Sequence, residues 1–193
     1  MIATALVLPT PVALLAPASV RDPVAELRRA CEDAVAALPP GRLVVVAPPV
    51  TEANRERGVT EPLGQRVAAH LLGDRDHEVR LALPGAASEL LRDDPAVLLV
   101  MADGSASRGA KAPGHLHPAA MGFDEALQRA LADGDAEALT GLDRELADAV
   151  WCQGEPALHV LGEVARGREI TAETTYADAP YGVAWWVVRW DLT

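Results

Sequence analysis

The sequence predicts a single α/β domain with a central, mostly parallel sheet, helices on both faces of that sheet and a C-terminal hairpin. Short apolar runs bounded by turn residues indicate strands that are buried on both faces. These runs alternate with stretches of helical periodicity, which is typical of parallel sheets covered by helices. The length favours one domain over residues 1–193. The four apolar runs are Ile2–Leu8, Leu43–Ala47, Val79–Leu83 and Ala96–Met101.

Helical stretches separate these four predicted strands. The first, Asp22–Leu38, is predicted to begin with Asp22 as its N-cap and Pro23 at the first helical position. Two shorter helices are predicted over Pro62–Leu72 and Ala86–Arg92. Each helix lies between two strands, so the first half of the chain predicts a series of β-α-β units.

The second half predicts three helices and a closing pair of strands. The last strand contains Trp185, Trp186 and Trp190, which we expect to fill the core or to cover a sheet edge rather than to bind a ligand. The helices are predicted over Phe123–Ala132, Ala136–Trp151 and Glu155–Arg166, and the strands over Glu169–Tyr176 and Val183–Trp190.

The charge of the chain argues against two classes of partner. The formal net charge is −11, with 28 acidic residues against 17 Lys and Arg. Nucleic-acid binding needs clustered basic residues, and the sequence contains no basic run. Binding to an anionic membrane surface would need the same positive charge. We therefore expect no nucleic-acid partner and no membrane partner.

The cysteines and the N-terminal segment favour a cytoplasmic protein. Cys31 and Cys152 are far apart and form no C-x-x-C pair, so neither a disulfide framework nor a structural zinc site is indicated. The first twenty residues are nearly all apolar, but no Lys or Arg precedes Arg21, as the positive end of a signal peptide would require. Prolines at positions 9, 11 and 17 also interrupt the run below the length of a membrane helix.

Four short segments, three of them directly after a predicted strand, together carry a family resemblance. They are Leu8-Pro9-Thr10-Pro11-Val12, Val46-Ala47-Pro48-Pro49, Met101-Ala102-Asp103-Gly104-Ser105-Ala106 and Tyr176-Ala177-Asp178-Ala179-Pro180-Tyr181-Gly182-Val183. In this order they resemble the His-Pro, Ser-Pro-His-like, Asp-x-Ser-His and Pro-Tyr-Gly-Val segments of one family. The chain is thereby similar to the class III extradiol ring-cleavage dioxygenases of the B-subunit type, which include the Memo-type proteins.

The resemblance implies an Fe(II) site whose ligands this sequence lacks. Members hold Fe(II) with two His and one carboxylate, which leaves positions for a catecholate and O₂, and a further His acts as acid or base. The two ligand His positions correspond to Thr10 and Pro49, and the acid–base position corresponds to Ala106. Pro and Ala have no metal donor atom, Thr is a poor neutral ligand, and the first histidine of the chain is His70. We therefore expect a divergent member without iron chemistry and without a cofactor.

The loop after the fourth predicted strand is the candidate for ligand binding. It brings a carboxylate, hydroxyls, Arg108 and Lys111 to the carboxyl end of a buried strand, where α/β sheets bind ligands. The two basic residues could bind a carboxylate or phosphate group. The alternative is a polar loop that satisfies its own backbone groups. We expect a small polar or anionic molecule, or a partner, to contact Thr10, Pro49, Asp103, Ser105, Arg108, Lys111 and Tyr181.

Two other functions stay open. His115 and His117 are two residues apart, so in an extended segment their side chains point the same way and can bind one metal ion. With Asp103 or Glu173 they would form a relocated Fe(II) or Zn(II) site in a metal-dependent dioxygenase or hydrolase. The remaining hypothesis is a homo-oligomeric interaction protein with the aromatic C-terminal strand at its interface.

Overall fold

The structure, a computed structural model, describes residues 2–16 and 22–193. In these residues six strands form one sheet: β1 (Thr4–Leu8), β2 (Leu43–Ala47), β3 (Glu78–Leu81), β4 (Val97–Met101), β5 (Ile170–Asp178) and β6 (Trp185–Leu192). The strand order is β3-β2-β4-β1-β6-β5. Strands β1 to β4 are parallel, whereas β6 is antiparallel to β1 and β5 is antiparallel to β6. The predicted fold class is therefore confirmed, including the C-terminal hairpin.

The uninterrupted apolar runs of the sequence form the middle of this sheet. In β1, β2 and β4 all five consecutive residues are buried. Successive strand residues point to opposite faces. Thus Leu6 and Leu8 pack into one layer of the core, and Ala5 and Val7 pack into the other. Both faces are covered, which is why these strands show no polar alternation.

Helices cover both faces of the sheet. Those of eight or more residues are α1 (Ala25–Ala36), α3 (Leu63–Leu72), α4 (Ala86–Asp93), α5 (Ala120–Asp133) and α8 (Glu155–Ala165), and the shorter ones are α2 (Glu52–Glu56), α6 (Ala136–Thr140) and α7 (Arg144–Ala149). Helices α1 and α3 pack on one face through residues such as Cys31 and Val67. Helices α4, α5 and α8 pack on the other through residues such as Leu90 and Leu127. Within the described ranges, none of the helices has both the length and the apolar character to cross a membrane.

The first helix begins later than predicted. Asp22 is not its N-cap, because α1 begins at Ala25 and Val24 occupies the cap position. The Asp22 carboxylate instead accepts a hydrogen bond from the backbone N of Val24 at 3.0 Å and pairs with Nε of Arg28 at 2.6 Å. The Asp22 carboxylate therefore pairs with a side chain in the first turn of α1, and both side chains of this ion pair are shielded from solvent.

The predicted helix over Ala136–Trp151 is two helices, and α2 was not predicted. Asp143 separates α6 from α7, and its carboxylate accepts a hydrogen bond from the backbone N of Leu146 at 3.1 Å. This is the geometry of an N-cap, which starts a new helix. Helix α2 begins in the same way, with the Thr51 side chain accepting from the backbone N of Asn54. In both cases a capping side chain begins a helix that apolar periodicity did not predict.

The tryptophans of β6 lie inside the protein. Trp185, Trp186 and Trp190 are at most 5% exposed, and Nε1 of Trp190 donates a 2.7 Å hydrogen bond to the Leu131 carbonyl. The prediction that they fill the core is confirmed. The hypothesis of an aromatic interface at this strand stays a prediction. In the described residues, β6 lies between β1 and β5 and its indoles are buried.

The connections between the strands create a crevice at one end of the sheet. The chain leaves β1 and β2 towards α1 and α3 on one face, but leaves β4 towards α5 on the other. Loops that diverge from neighbouring parallel strands leave a gap at the carboxyl ends, where α/β proteins bind ligands. Here the gap lies beyond the ends of β1, β4 and β2.

Candidate functional site

A cleft of about 310 Å³ occupies this crevice. Its lining combines residues that follow three different strands: Thr10 after β1, Pro49 after β2 and Asp103 after β4. Residues of α2, of α3 and of the turn before α8 complete it. The other lining residues are Pro48, Val50, Thr51, Asn54, Val59, Glu61, Pro62, Leu63, Gly64, Arg66, Met101, Gln153 and Gly154.

Asp103 is the polar centre of the cleft. Its Oδ1 accepts a hydrogen bond from the backbone N of Thr10 at 2.7 Å, and its Oδ2 accepts a second one from the Thr10 hydroxyl. Burial raises the pKa of the Asp103 carboxyl above its ordinary value, although the two bonds from Thr10 act in the opposite direction. A carboxyl group in a cleft with a pKa raised by burial is a feature of functional sites.

Two glycines let the backbone pack closely around this carboxyl group. A Cβ atom on Gly154 would lie 2.2 Å from the Asp103 carbonyl oxygen, and one on Gly64 would lie 2.8 Å from the Cβ of Met101. Neither position has room for a side chain. The turn before α8 therefore packs directly against the backbone of Asp103, and the start of α3 packs directly against Met101.

Unpaired charges line the rim of the cleft. Arg66 and Glu61 are exposed, and within residues 2–16 and 22–193 their side chains have neither an ion pair nor a hydrogen bond. The first turn of α3 also faces the cleft, through Pro62, Leu63 and Gly64, and no side chain caps it. The rim can thus interact with a polar molecule from several directions.

Ser105 and Arg108, which we predicted as ligand contacts, lie outside the cleft lining. Ser105 is fully buried, and its backbone N and Oγ donate to the Asp124 carboxylate at 2.8 Å and 2.6 Å. Nε of Arg108 lies 3.7 Å from the same carboxylate. Burial raises the pKa of Asp124, against the lowering effect of Ser105 and Arg108. This network fastens the loop after β4 to α5.

Lys111 and Tyr181 also lie outside the lining. Lys111 is exposed, and the Tyr181 hydroxyl donates to the Pro23 carbonyl at 3.2 Å while its ring packs against Trp185. Backbone hydrogen bonds join the loop after β4 to the turn before β6, for example from the N of Arg108 to the Gly182 carbonyl at 3.1 Å. The structure thus gathers Thr10, Pro49 and Asp103 into one cleft and places the other four predicted residues elsewhere.

The histidine pair does not form a metal site with either predicted carboxylate. In the part of the chain that the structure describes, no three His, Cys, Asp or Glu side chains are arranged to hold a metal ion. His115 is exposed in a left-handed backbone conformation, with a φ of 59°. Nδ1 of His117 accepts a hydrogen bond from the backbone N of Ala119 at 3.2 Å. Glu173 is exposed on β5, in register with Arg189.

Several lining residues had no signal in the sequence. Asn54 lies on the short helix α2, Arg66 on α3 and Gln153 in the turn before α8, and no motif marks them. One signal could have found Arg66: a helix that follows a parallel strand begins at the carboxyl end of the sheet. Asp124 could not have been found in this way, because its role depends on the packing of α5 against the loop after β4.

We predict that Asp103→Asn changes how stability depends on pH. Because the folded-state pKa of Asp103 is raised, its contribution to stability is complete below the ordinary pKa and is lost as the pH rises through the folded-state pKa. The variant cannot ionise, so it should be at least as stable as the wild type near about pH 8 and lose this advantage towards about pH 4. Urea unfolding of both proteins across this range measures the difference. A wild type that gains on the variant with rising pH would contradict the prediction.

No model of a known protein family matches the chain, and no curated protein matches it.

Proposed function

We propose that the protein is a divergent relative of the class III extradiol dioxygenases of the B-subunit type, and that it binds a small polar ligand without iron chemistry. One observation carries this proposal. Thr10, Pro49 and Asp103 are separated by up to 93 residues in the chain, yet they line one cleft at the strand ends. These are positions at which the family resemblance places a functional site.

The donor set of the cleft does not suit Fe(II). The two positions that correspond to iron-binding histidines are Thr10 and Pro49, and both line the cleft. Among the lining residues that the structure describes there is no His, Cys, Lys or Tyr. Fe(II) in a two-His, one-carboxylate site needs imidazole nitrogens. Of the three strand-end residues, only Asp103 carries a carboxylate. We therefore propose that the cleft binds a ligand and does not activate oxygen.

The lining instead suits hydrogen bonds and one or two charges. The Asn54 and Gln153 amides can both donate and accept, and Arg66 is a cation without an ion pair among the described residues. A volume of about 310 Å³ is at the small end of ligand-binding cavities. We therefore propose a small molecule with hydroxyl groups and a carboxylate or phosphate group.

We expect a screen of small carboxylates, phosphates and catechols to raise the melting temperature of the wild type. A ligand at about 100 times its Kd stabilises the folded state by about 2.7 kcal/mol. Arg66→Ala should weaken an anionic hit by at least about tenfold, since a charge-assisted hydrogen bond contributes about 1.5–3 kcal/mol. Lys111→Ala is the matched control: it removes an exposed cation outside the lining and should leave binding unchanged. The proposal would be contradicted if no compound raised the melting temperature. It would also be contradicted if every binding compound kept its affinity for the Arg66→Ala and Asp103→Ala variants.

Metal loading separates this function from the relocated-site alternative. After anaerobic incubation with Fe(II), Mn(II) or Zn(II) and desalting, we expect no stoichiometric retention. Near-stoichiometric retention that is lost in the His115→Ala, His117→Ala double variant would overturn the iron-free proposal and favour a metal-dependent enzyme. Oxygen consumption with catechol substrates would then be the next measurement.

We also propose a cytoplasmic location. Cys31 and Cys152 are buried free thiols, and unpaired cysteines are typical of reducing compartments. Burial raises the pKa of the Cys31 thiol to about 12, which keeps it protonated and unreactive at neutral pH.

A further inference from the structure

The two edges of the sheet differ in how well they are protected. At one edge, β3 has four residues, and charged side chains surround it: Nε of Arg42 lies 2.7 Å from Glu78, and Arg80 lies 3.0 Å from Asp93. At the other edge, β5 has nine residues and, within the described chain, pairs with β6 alone. Short, charged edges prevent strand pairing, whereas long ones invite it.

The backbone groups on the outer edge of β5 can be assigned from its pairing with β6. Glu169 and Thr193 exchange both backbone hydrogen bonds, at 3.2 Å and 3.0 Å. Because such pairs alternate along an antiparallel ladder, Thr171 and Glu173 also direct their N–H and C=O groups towards β6. The residues between them therefore direct their N–H and C=O groups away from the sheet: Ile170, Ala172 and Thr174.

These outward-facing backbone groups of β5 lie on a short segment, and they have no backbone partner among the described residues. The register of β5 shifts between Thr174 and Tyr176, and a bulge of this kind bends the strand and ends regular pairing. The edge that can accept another strand is thus residues 170–174.

We propose that this edge pairs with the same edge of a second copy of the chain, antiparallel, about a two-fold axis at Ala172. A two-fold interface requires a self-complementary patch. With the axis at Ala172, Ile170 lies opposite Thr174 of the partner subunit, and Ala172 lies opposite Ala172 of the partner subunit. Each outward residue then exchanges both of its hydrogen bonds with another outward residue. The two sheets join into one continuous sheet.

The side chains of this register are compatible. Glu173 lies opposite Thr171 of the partner subunit, so no like charges face each other directly. Ala172 at the axis has a small side chain, which lets the two copies approach. Moving the axis to Glu173 would place two carboxylates opposite each other and use backbone groups already bonded to β6. Moving it to Thr174 would run the pairing into the bulge. This self-complementarity selects a second copy over an unrelated extended segment.

Ala172→Pro tests the proposal without touching the ladder to β6. The N–H at this position points outward, and proline is tolerated at such sites of edge strands. We expect the wild type to show a concentration-dependent doubling of mass by sedimentation or light scattering. Ala172→Pro should be a monomer with an unchanged circular dichroism spectrum. Ala177→Pro is the matched control, because residue 177 lies beyond the bulge and its two-fold counterpart would be Gly167, outside the strand.

Amide hydrogen exchange on the wild type supplies a second test that needs no variant. The amides of Ile170, Ala172 and Thr174 should exchange slowly in concentrated protein and fast after dilution, whereas those of Thr171 and Glu173 should stay protected in both. A wild type that is monomeric at its highest soluble concentration would overturn the proposal. So would a dimer that survives Ala172→Pro or leaves the outward amides exchanging fast.

Discussion

Replacing Trp190 with alanine is expected to lower the free energy of unfolding by about 4 kcal/mol, because removing a buried aromatic side chain costs about 3–5 kcal/mol. The indole is completely buried in β6. Its Nε1 also donates to the Leu131 carbonyl at 2.7 Å, which ties the last strand to α5. Truncation leaves both a cavity and a buried carbonyl without its partner. Equilibrium urea unfolding measures the change directly.

Trp151→Ala is the matched control for this prediction. The same side chain is removed, but Trp151 is 50% exposed at the end of α7. Surface substitutions of this kind usually change stability by less than about 0.5 kcal/mol. If both variants lost the same amount, Trp190 would not have the central packing role that its burial indicates. A Trp190→Ala protein with native stability and an altered oligomeric state would instead support an interface role for β6.

Asp124→Ala is expected to lower the free energy of unfolding by about 3 kcal/mol, since breaking a buried charged network costs about 3–5 kcal/mol when one partner is left uncompensated. The carboxylate is 1% exposed and accepts from the backbone N and Oγ of Ser105. Arg108 lies beside it at 3.7 Å. Without the carboxylate, two buried donors lose their acceptor and the loop after β4 loses its attachment to α5. Urea unfolding measures the loss.

Two further variants isolate the cause. Asp124→Asn keeps an acceptor for the Ser105 backbone N, so it should cost about 1 kcal/mol, the usual net value of one hydrogen bond. Glu125→Ala removes the neighbouring exposed carboxylate and should change stability by less than about 0.5 kcal/mol. A double-mutant cycle with Ser105→Ala then gives the coupling energy. Additive single effects would show that Asp124 acts through general packing rather than through Ser105.

The sequence predicted the sheet well because its strands are marked by uninterrupted apolar runs. Leu43–Ala47 has the same bounds in the structure as in the prediction, since a strand that is buried on both faces is a nearly continuous apolar run. Helix ends were harder to predict. Asp22 looks like an N-cap in the sequence, but it pairs with Arg28, and the Asp143 cap lies inside a continuous helical pattern. These outcomes depend on local competition for the same carboxylate or backbone group.

The candidate site was predictable only where strand ends define it. Thr10, Pro49 and Asp103 each lie two residues after the end of a parallel strand, so topology alone brings them to the carboxyl end of the sheet. Arg66 and Gln153 come from segments whose position depends on how α3 and α8 pack. Ser105 was predicted as a ligand contact because it is a hydroxyl donor in the loop that contains Asp103, yet its side chain donates to Asp124. Loop residues two positions apart can direct their side chains to different parts of the protein, which sequence spacing does not reveal.

The position of β6 determines when the fold can be completed during synthesis. β1 lies between β4 and β6, and the Thr4 hydroxyl donates to the Asp191 carboxylate at 3.0 Å, across 187 residues of chain. Until β6 leaves the ribosome, the side of the buried strand β1 that pairs with β6 has no partner. Pairing over such a sequence separation is slow and leaves open edges prone to aggregation. A nascent chain stalled before β6 would therefore need a chaperone more than the finished protein does.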